Sequence, residues 1–317
     1  MGNVRRQIRY FPMTYKTLRR AFWRALPLQL QRPILRLLRW NEYTAACAVR
    51  RFAKLARSRF RDEVVISPSG EVWFRDPSGG EFLVPVDRTD FIGRGVSQTE
   101  PLESALLSRN LEFGTMLDIG ANVGLHSIRV ALKQPKARIF SFEPVSANHA
   151  VLVRNVVRNG LAGRISAIHA AVGASPGTVA MPASFGTGNW VGGVLRGVQS
   201  EDVQLISVDR FLKDNAILDV GLVKCDVEGY ELQVLEGMTV CLQNMRPRVL
   251  LEVEETWCAR VGHHAADVFT LLRRSGYQYM RVMSGAELRF PLASESESQA
   301  STNNFWFYPE ESGPGHI

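Results

Sequence analysis

From Thr115 onward, short apolar runs of β type alternate with stretches of helical periodicity, and this alternation restricts the fold more than any other feature of the chain. The succession is MLDI, then a helix over 123–133; RIFSFE, then 146–159; ISAIHAAV; GLVKCDV, then 230–242; RVLLEV, then 265–275; and finally YQYMRV and NNFWFYP. Strands alternating with helices predict a mostly parallel sheet covered on both faces. Right-handed crossovers make that sheet doubly wound, an α/β fold of the Rossmann-like kind. The last two runs have no helix between them, so they are expected to pair antiparallel, joined by the polar stretch 294–302. Gly173 and Pro176-Gly177 punctuate their run and predict a β-hairpin at 172–183.

Ahead of this region the text divides twice. Residues 63–99 hold the short β-like runs VVISPSG, EVWFRD and EFLVPVD with Ser-Gly, Ser-Gly-Gly and Pro turns, a small β lead-in; a helix is expected over 100–112 at the start of the main domain, 100–317. Residues 1–62 are different in kind. They carry 16 Lys and Arg against Glu42 and Asp62, a balance of +14, whereas the other 22 basic and 29 acidic residues leave the remainder at −7. Arginines interleave with Leu, Phe, Trp and Ala at helical spacing over 14–26 and 33–60, so the arm reads as basic amphipathic helices broken at Pro27 and Pro33. Three uses fit such an arm: a lid packed on the main domain, an anchor on an anionic membrane surface, or a holder of nucleic acid.

No apolar run reaches the ~18 to 20 residues needed to cross a bilayer, and residues 1–25 lack the apolar core and cleavage site of a signal peptide. A cytoplasmic protein is the expectation, with peripheral attachment to the inner membrane face through the arm. Cys47, Cys225, Cys241 and Cys258 lack C-x-x-C spacing, and reduced thiols are expected.

Chemistry concentrates at the carboxyl ends of the predicted strands, where doubly wound sheets bind ligands. The first strand runs into DIGANVG, residues 118–124, in which Gly120 and Gly124 let backbone approach a ligand. The loop lacks the G-x-G-x-x-G of a nicotinamide site. Asp118 at the strand end would repel a diphosphate but suits S-adenosylmethionine, which carries a sulfonium and an ammonium. Asn122 could contact the ligand or cap the following helix. The second strand ends in FEP, where Glu143 can accept hydrogen bonds from both ribose hydroxyls. The fourth strand leads into KCDVEGYE, residues 224–231, where Asp226 and Glu228 either face the crevice or serve the helix as cap and dipole-compatible acid.

The succession DIGANVGLHS, FEP, KCDVEGYELQVLEGM and RVLLEV resembles the FkbM-type methyltransferases over residues 100–308. The resemblance implies a class I methyltransferase sheet with an antiparallel C-terminal strand and S-adenosylmethionine as cofactor. It implies cofactor contacts at Asp118, Gly120, Asn122, Gly124, Ser127 and Glu143, with Ala121 and Pro144 inside the same motifs and Ala171 after the third strand. Asp226 and Glu228 would lie beside the transferring methyl as the catalytic pair. Asn189 in SFGTGNW, Lys224 and Glu252 are candidates on the acceptor side, although Trp190-Val191-Gly192-Gly193 departs from the Ser that often follows in this family. The acceptor would be a hydroxyl on a small molecule, polyketide or glycan.

Asp226 is the expected base or orienting group for that hydroxyl, ahead of His126 and Glu252. No metal site is expected; Asp226, Glu228 and Glu252 offer carboxylates for a cation without a fixed count or geometry. His263-His264 are adjacent and would point apart on a helix, so they read as a helix start. Lys224 is expected to pair with an acid along its strand. Competing readings are an RNA or protein methyltransferase that uses the arm to hold a polymer, a nicotinamide oxidoreductase, and a non-enzymatic binding module. If the arm is the membrane anchor, deleting residues 1–62 should abolish sedimentation with anionic vesicles; persistence of binding would return the arm to the lid reading.

Overall fold

The computed structural model describes residues 63–66, 72–83, 113–182, 200–283, 287–289 and 304–312. Two compact units divide the chain, Met1–Pro101 and Leu102–Ile317. The arm at 1–62, the expected helix at 100–112, the linker 294–302 and Asn189 lie outside the described residues.

In the first unit, β1 (Glu63–Ile66), β2 (Val72–Arg75) and β3 (Glu81–Leu83) form a three-stranded antiparallel sheet. Its second turn is built by Asp76, whose carboxylate accepts from the Ser78 N–H at 2.9 Å and whose own backbone closes on Gly79 and Gly80. Trp73, Phe74 and Phe82 are buried.

The second unit is the doubly wound sheet. Its elements are β4 (Thr115–Ile119), α1 (Leu125–Lys133), β5 (Arg138–Phe142), α2 (Ser146–Arg158), β6 (Ile165–Ile168), β7 (Ala171–Val172), β8 (Gly177–Pro182), β9 (Ser200–Ile206), α3 (Val208–Asp214), β10 (Leu222–Cys225), α4 (Glu231–Glu236), α5 (Thr239–Asn244), β11 (Arg248–Glu252), α6 (Glu255–Val261), α7 (Ala265–Arg274), β12 (Tyr277–Met283), β13 (Glu287–Arg289) and β14 (Asn304–Pro309). Eight strands pair in the order β13-β12-β14-β11-β10-β4-β5-β6. The pairs from β11 to β6 are parallel, and β14 runs antiparallel between β11 and β12. Strand order reverses at β4, whose neighbours are β5 on one side and β10 on the other. The switch point therefore lies between the ends of β4 and β10.

β4 and β10 are buried along their whole length, as continuous apolar strands covered on both sides must be. Leu117, Ile119, Phe140, Phe142, Val223, Cys225, Val249 and Leu251 face a core shared with Leu212 of α3, Val234 and Leu235 of α4, Leu242 of α5 and Phe269 of α7. The alternate residues Asp118, Ser141 and Lys224 stand in register on the opposite face. A polar row thus crosses three adjacent strands beside an apolar core.

Three expectations are corrected. The run ISAIHAAV divides at His169-Ala170 into β6 and β7, and the predicted hairpin at 172–183 does not close. β8 pairs antiparallel with β9, and β7 pairs parallel with β9, in a separate three-stranded sheet. Pairing across a gap of residues 183–199 has no local signal. The predicted helix 230–242 is two helices, because Asp209 of α3 caps a new N-terminus: its carboxylate accepts from Val240 N–H and Cys241 N–H, both at 2.9 Å. The acceptor that breaks the helix is some thirty residues away in sequence. Helices α3 and α6, seven residues each, are further elements that the periodicity does not predict, α3 between β9 and β10 and α6 between β11 and α7. β12 is extended by an edge hairpin with β13. Cys225, Cys241 and Cys258 are buried free thiols.

Gly120 follows the end of β4 with φ 77°, and a Cβ there would lie 1.9 Å from the Asp226 carbonyl oxygen. Both the left-handed backbone and the close approach demand glycine. Gly120→Ala should destabilise the protein by at least about 2 kcal/mol in urea denaturation; a variant as stable as the parent would mean that the two loops do not meet as described.

Candidate active site

Two loops leave neighbouring strands at the switch point, and each is held from below by a buried acid. The first, residues 119–124, turns back over β5: Gly120 N–H and Ala121 N–H both donate to the Phe142 carbonyl, at 3.0 and 2.9 Å. Asn122 N–H donates to Glu143 Oε2 at 2.8 Å, while Glu143 Oε1 accepts from Val145 N–H at 2.9 Å and Asn148 Nδ2 at 3.2 Å. Glu143 is only 4% exposed. Expected to take both ribose hydroxyls, it already has three donors for roughly four lone-pair sites, which leaves room for one more.

Asn122 does not cap α1. The N-cap is Gly124, with φ 84° and no side-chain hydrogen bond, and Asn122 sits two residues earlier at φ 52°. Its Oδ1 is buried without a partner. Non-glycine residues at positive φ are uncommon, and such strain gathers where a loop serves a ligand.

Asp118 is fully buried on the polar face beneath α1, not free at the strand tip. Its Oδ2 accepts from Ser127 Oγ at 2.5 Å, and Ser127 Oγ lies 2.7 Å from Ser141 Oγ. Both residues expected to touch a cofactor thus bond to each other first and fasten α1 to the sheet. Asp118 Oδ1 remains buried with no partner. His126, the second residue of α1, is packed at 4% exposure.

The second loop, residues 226–230, follows β10. Lys224 is 5% exposed and donates to Gly120 O at 3.2 Å and to Asp226 Oδ2 at 3.1 Å, the acid pairing expected of it. Asp226 N–H donates to Ile119 O at 3.1 Å, and the Asp226 side chain is 23% exposed. Glu228 is half-buried at φ 55°, a second strained non-glycine residue. Sequence reasoning missed Glu231, although it ends the same motif. At 1% exposure, its Oε1 accepts from Gly229 N–H at 3.1 Å and Val227 N–H at 3.3 Å, and its Oε2 is buried without a partner.

The remaining candidates are dispersed. Pro144 is half-buried and its carbonyl lies 2.9 Å from His169 Nε2. Ala171 opens β7 and is buried. Glu252 ends β11, half-buried opposite Asn304. Among the described residues no three His, Cys, Asp or Glu stand together as a metal-holding group, so Asp226, Glu228 and Glu252 do not form one. His264 is the N-cap of α7: its N–H donates to Asp267 Oδ2 at 2.9 Å, and its Nδ1 lies 2.7 Å from Glu255 Oε1.

Burial pushes the Glu143 and Glu231 carboxyls up from the ordinary 4.5 to about 7, against the lowering effect of the N–H groups they accept from. The folded chain then holds protons that the unfolded chain has lost. Stability is greatest below about pH 4.5 for these two groups and falls as pH rises through 7. Glu231→Gln keeps the accepting oxygen and removes the titration. It should raise the melting temperature at pH 8, through a gain of about 1 to 3 kcal/mol, and change nothing at pH 4.5. An equal effect at both values would show that ionisation of Glu231 is not what costs stability.

The family model of the methyltransferase FkbM domain matches residues 118–279, which spans both loops. The chain is 30% identical over 140 residues to hexuronic acid methyltransferase AglP of Haloferax volcanii, covering 44% of this chain and 56% of that protein. It is 29% identical over 154 residues to methyltransferase sdnD of Sordaria araneosa, covering 39% of this chain and 60% of that protein. The matched stretches thus span a little over half the length of these two relatives. A third relative, 31-O-demethyl-FK506 methyltransferase FkbM of Streptomyces tacrolimicus, is 27% identical over 191 residues, 51% of this chain and 72% of that one. Among solved structures, methyltransferase FkbM from Methylobacillus flagellatus aligns with a TM-score of 0.42 at 17% identity, covering 69% of this chain and 52% of that one. With the domain model matching just over half of its residues, the chain belongs to the FkbM methyltransferase family.

Proposed function

We propose that this protein is an S-adenosylmethionine-dependent O-methyltransferase whose acceptor is a hydroxyl on a small molecule or sugar. The observation that carries the reading is the pair of buried, unpartnered acceptor oxygens at the end of β4 and in the loop that follows it, Asp118 Oδ1 and Asn122 Oδ1. An unmet buried acceptor costs about 1 to 3 kcal/mol, so these oxygens call for a ligand that brings donors. Ribose hydroxyls come with either cofactor; the ammonium of S-adenosylmethionine is a further donor, whereas the diphosphate of a dinucleotide would add only acceptors and negative charge. The donor set therefore fits S-adenosylmethionine and disfavours a nicotinamide dinucleotide. Asn122, Asp118 and the remaining site on Glu143 would hold the cofactor, with the Gly120–Ala121 backbone beneath it.

When bound, the cofactor supplies a methyl group already activated on sulfur, ready for in-line displacement. The protein's part is then alignment and one proton. Asp226 is the group for that proton: it is partly exposed, and Lys224 holds it in one orientation. Glu228, displayed on a strained backbone next to it, would contact the acceptor. Relatives named for hexuronic acid and for 31-O-demethyl-FK506 support an acceptor of sugar or small-molecule class. Among the described residues no helix is long and apolar enough to cross a membrane. The basic residues 1–62 would draw a cytoplasmic domain to an anionic membrane face.

Calorimetric titration with S-adenosylhomocysteine, with NADH as control, tests the donor site. One-site binding to the homocysteine product alone is expected, and binding to NADH alone would overturn the proposal. On a hydroxylated acceptor found by screening, Asp226→Asn should keep product affinity within about threefold and slow turnover by about 100-fold; unchanged turnover would remove Asp226 from the chemistry.

A further inference from the structure

Glu231 has a role that the motif alone does not reveal. The turn it faces contains two consecutive left-handed residues, Glu228 at φ 55° and Gly229 at φ 98°. A left-handed glutamate is disfavoured by contact between its Cβ and the backbone, and it persists only when surrounding structure imposes it. Two constraints impose it here. On one side α6 presses on the turn, since a Cβ on Gly229 would fall 2.5 Å from the backbone of Trp257. On the other, the Glu231 carboxylate gathers the N–H groups of Val227 and Gly229, the residues that flank Glu228, onto the single oxygen Oε1. Val227 N–H belongs to the Asp226–Val227 peptide and Gly229 N–H to the Glu228–Gly229 peptide, so this one oxygen pins the two peptide planes that bracket the Val227–Glu228 segment. It therefore sets the direction in which Glu228 is displayed and the exit path of the chain from Asp226.

We propose that Glu231 is the positioning residue of the acceptor side, a buried clamp that holds the 226–229 turn so that Asp226 and Glu228 meet the acceptor. It touches neither reacting group. The proposal rests on the methyltransferase reading for what the turn does, but the clamp itself can be tested without any acceptor.

The test is amide hydrogen exchange at Val227 and Gly229 in full-length protein, compared among wild type, Glu231→Gln, Glu231→Asp and Glu231→Ala. Gln keeps an accepting oxygen at the same reach; Asp keeps the charge and falls one methylene short. Exchange at the two amides is expected to rise at least tenfold in the Asp and Ala variants and to stay at the wild-type rate with Gln. Affinity for S-adenosylhomocysteine should stay within threefold in all four proteins. With a screened acceptor, the Asp variant should lose at least tenfold in kcat with KM for S-adenosylmethionine within threefold, and Gln should restore kcat.

Unchanged exchange in the Asp variant would overturn the clamp, and so would a Gln variant as unprotected as Ala. A uniform rise across β4 and β10 would make Glu231 a general stability residue and would also overturn it. If the Ala variant does not fold, the Asp and Gln pair decides alone. Failure of the wild type to bind S-adenosylhomocysteine would remove the donor reading, whereas the exchange pattern would still judge the clamp.

Discussion

Lys224 reaches from the interior of β10 to the carbonyl of Gly120 and the carboxylate of Asp226, and through those two bonds it ties the ends of β4 and β10 into one site. An ammonium at 5% exposure is stable only when its desolvation is repaid by partners. The missing Cβ of Gly120 lets the second loop come close enough to supply them, because the Asp226 carbonyl occupies the space a side chain would need. The geometry of the site follows from this juncture. The two loops are not independent appendages; they share one cation and backbone contacts across the switch point.

Around that juncture the protein spends stability on polarity. Glu143 and Glu231 are buried acids that each gather backbone N–H groups beneath a loop, and each leaves the loop above it in a strained conformation, Asn122 in one case and Glu228 in the other. The polar row Asp118, Ser141 and Lys224, with Ser127 bonded across from α1, occupies a sheet face where apolar side chains would pack more favourably. This buried polarity stands at the carboxyl ends of the strands beside the switch point, the place where doubly wound sheets bind ligands. The opposite face, from Leu117 to Phe269, is conventional apolar core.

Much of this was legible in one dimension. Asp118, Glu143, Asp226 and Glu228 all stand at or next to a strand's carboxyl end because a continuous apolar run reports a doubly covered strand, and the first polar residues after it report the end. The roles within the site were less legible. Ser127 and Asp118 read as ligand contacts and prove to bond each other; Asn122 reads as a ligand contact or a cap, and is a loop residue anchored through its N–H by Glu143, not the cap. Glu231 was passed over although it stands inside the quoted motif, since a glutamate in the first turn of a helix has an ordinary explanation in the helix dipole. Its burial, and the turning of its carboxylate back onto Val227 and Gly229, depend on how α4 packs and on the approach of Trp257.

The sequence by itself determined the class of fold, the alternation of the main strands and helices after Thr115, the family, and the residues at the strand ends, because hydrophobic periodicity and strand-end chemistry are local properties. Only the tertiary structure decided which of those residues bond one another, where the helix at 231–244 breaks, and how β7, β8 and β9 combine in a second sheet. Asp209 acting on α5 and Glu201–Met181 pairing between β9 and β8 join residues about 20 to 30 positions apart. Hydrogen bonds of that reach form when the chain closes on itself, and their partners are chosen by proximity in space, which no local pattern encodes.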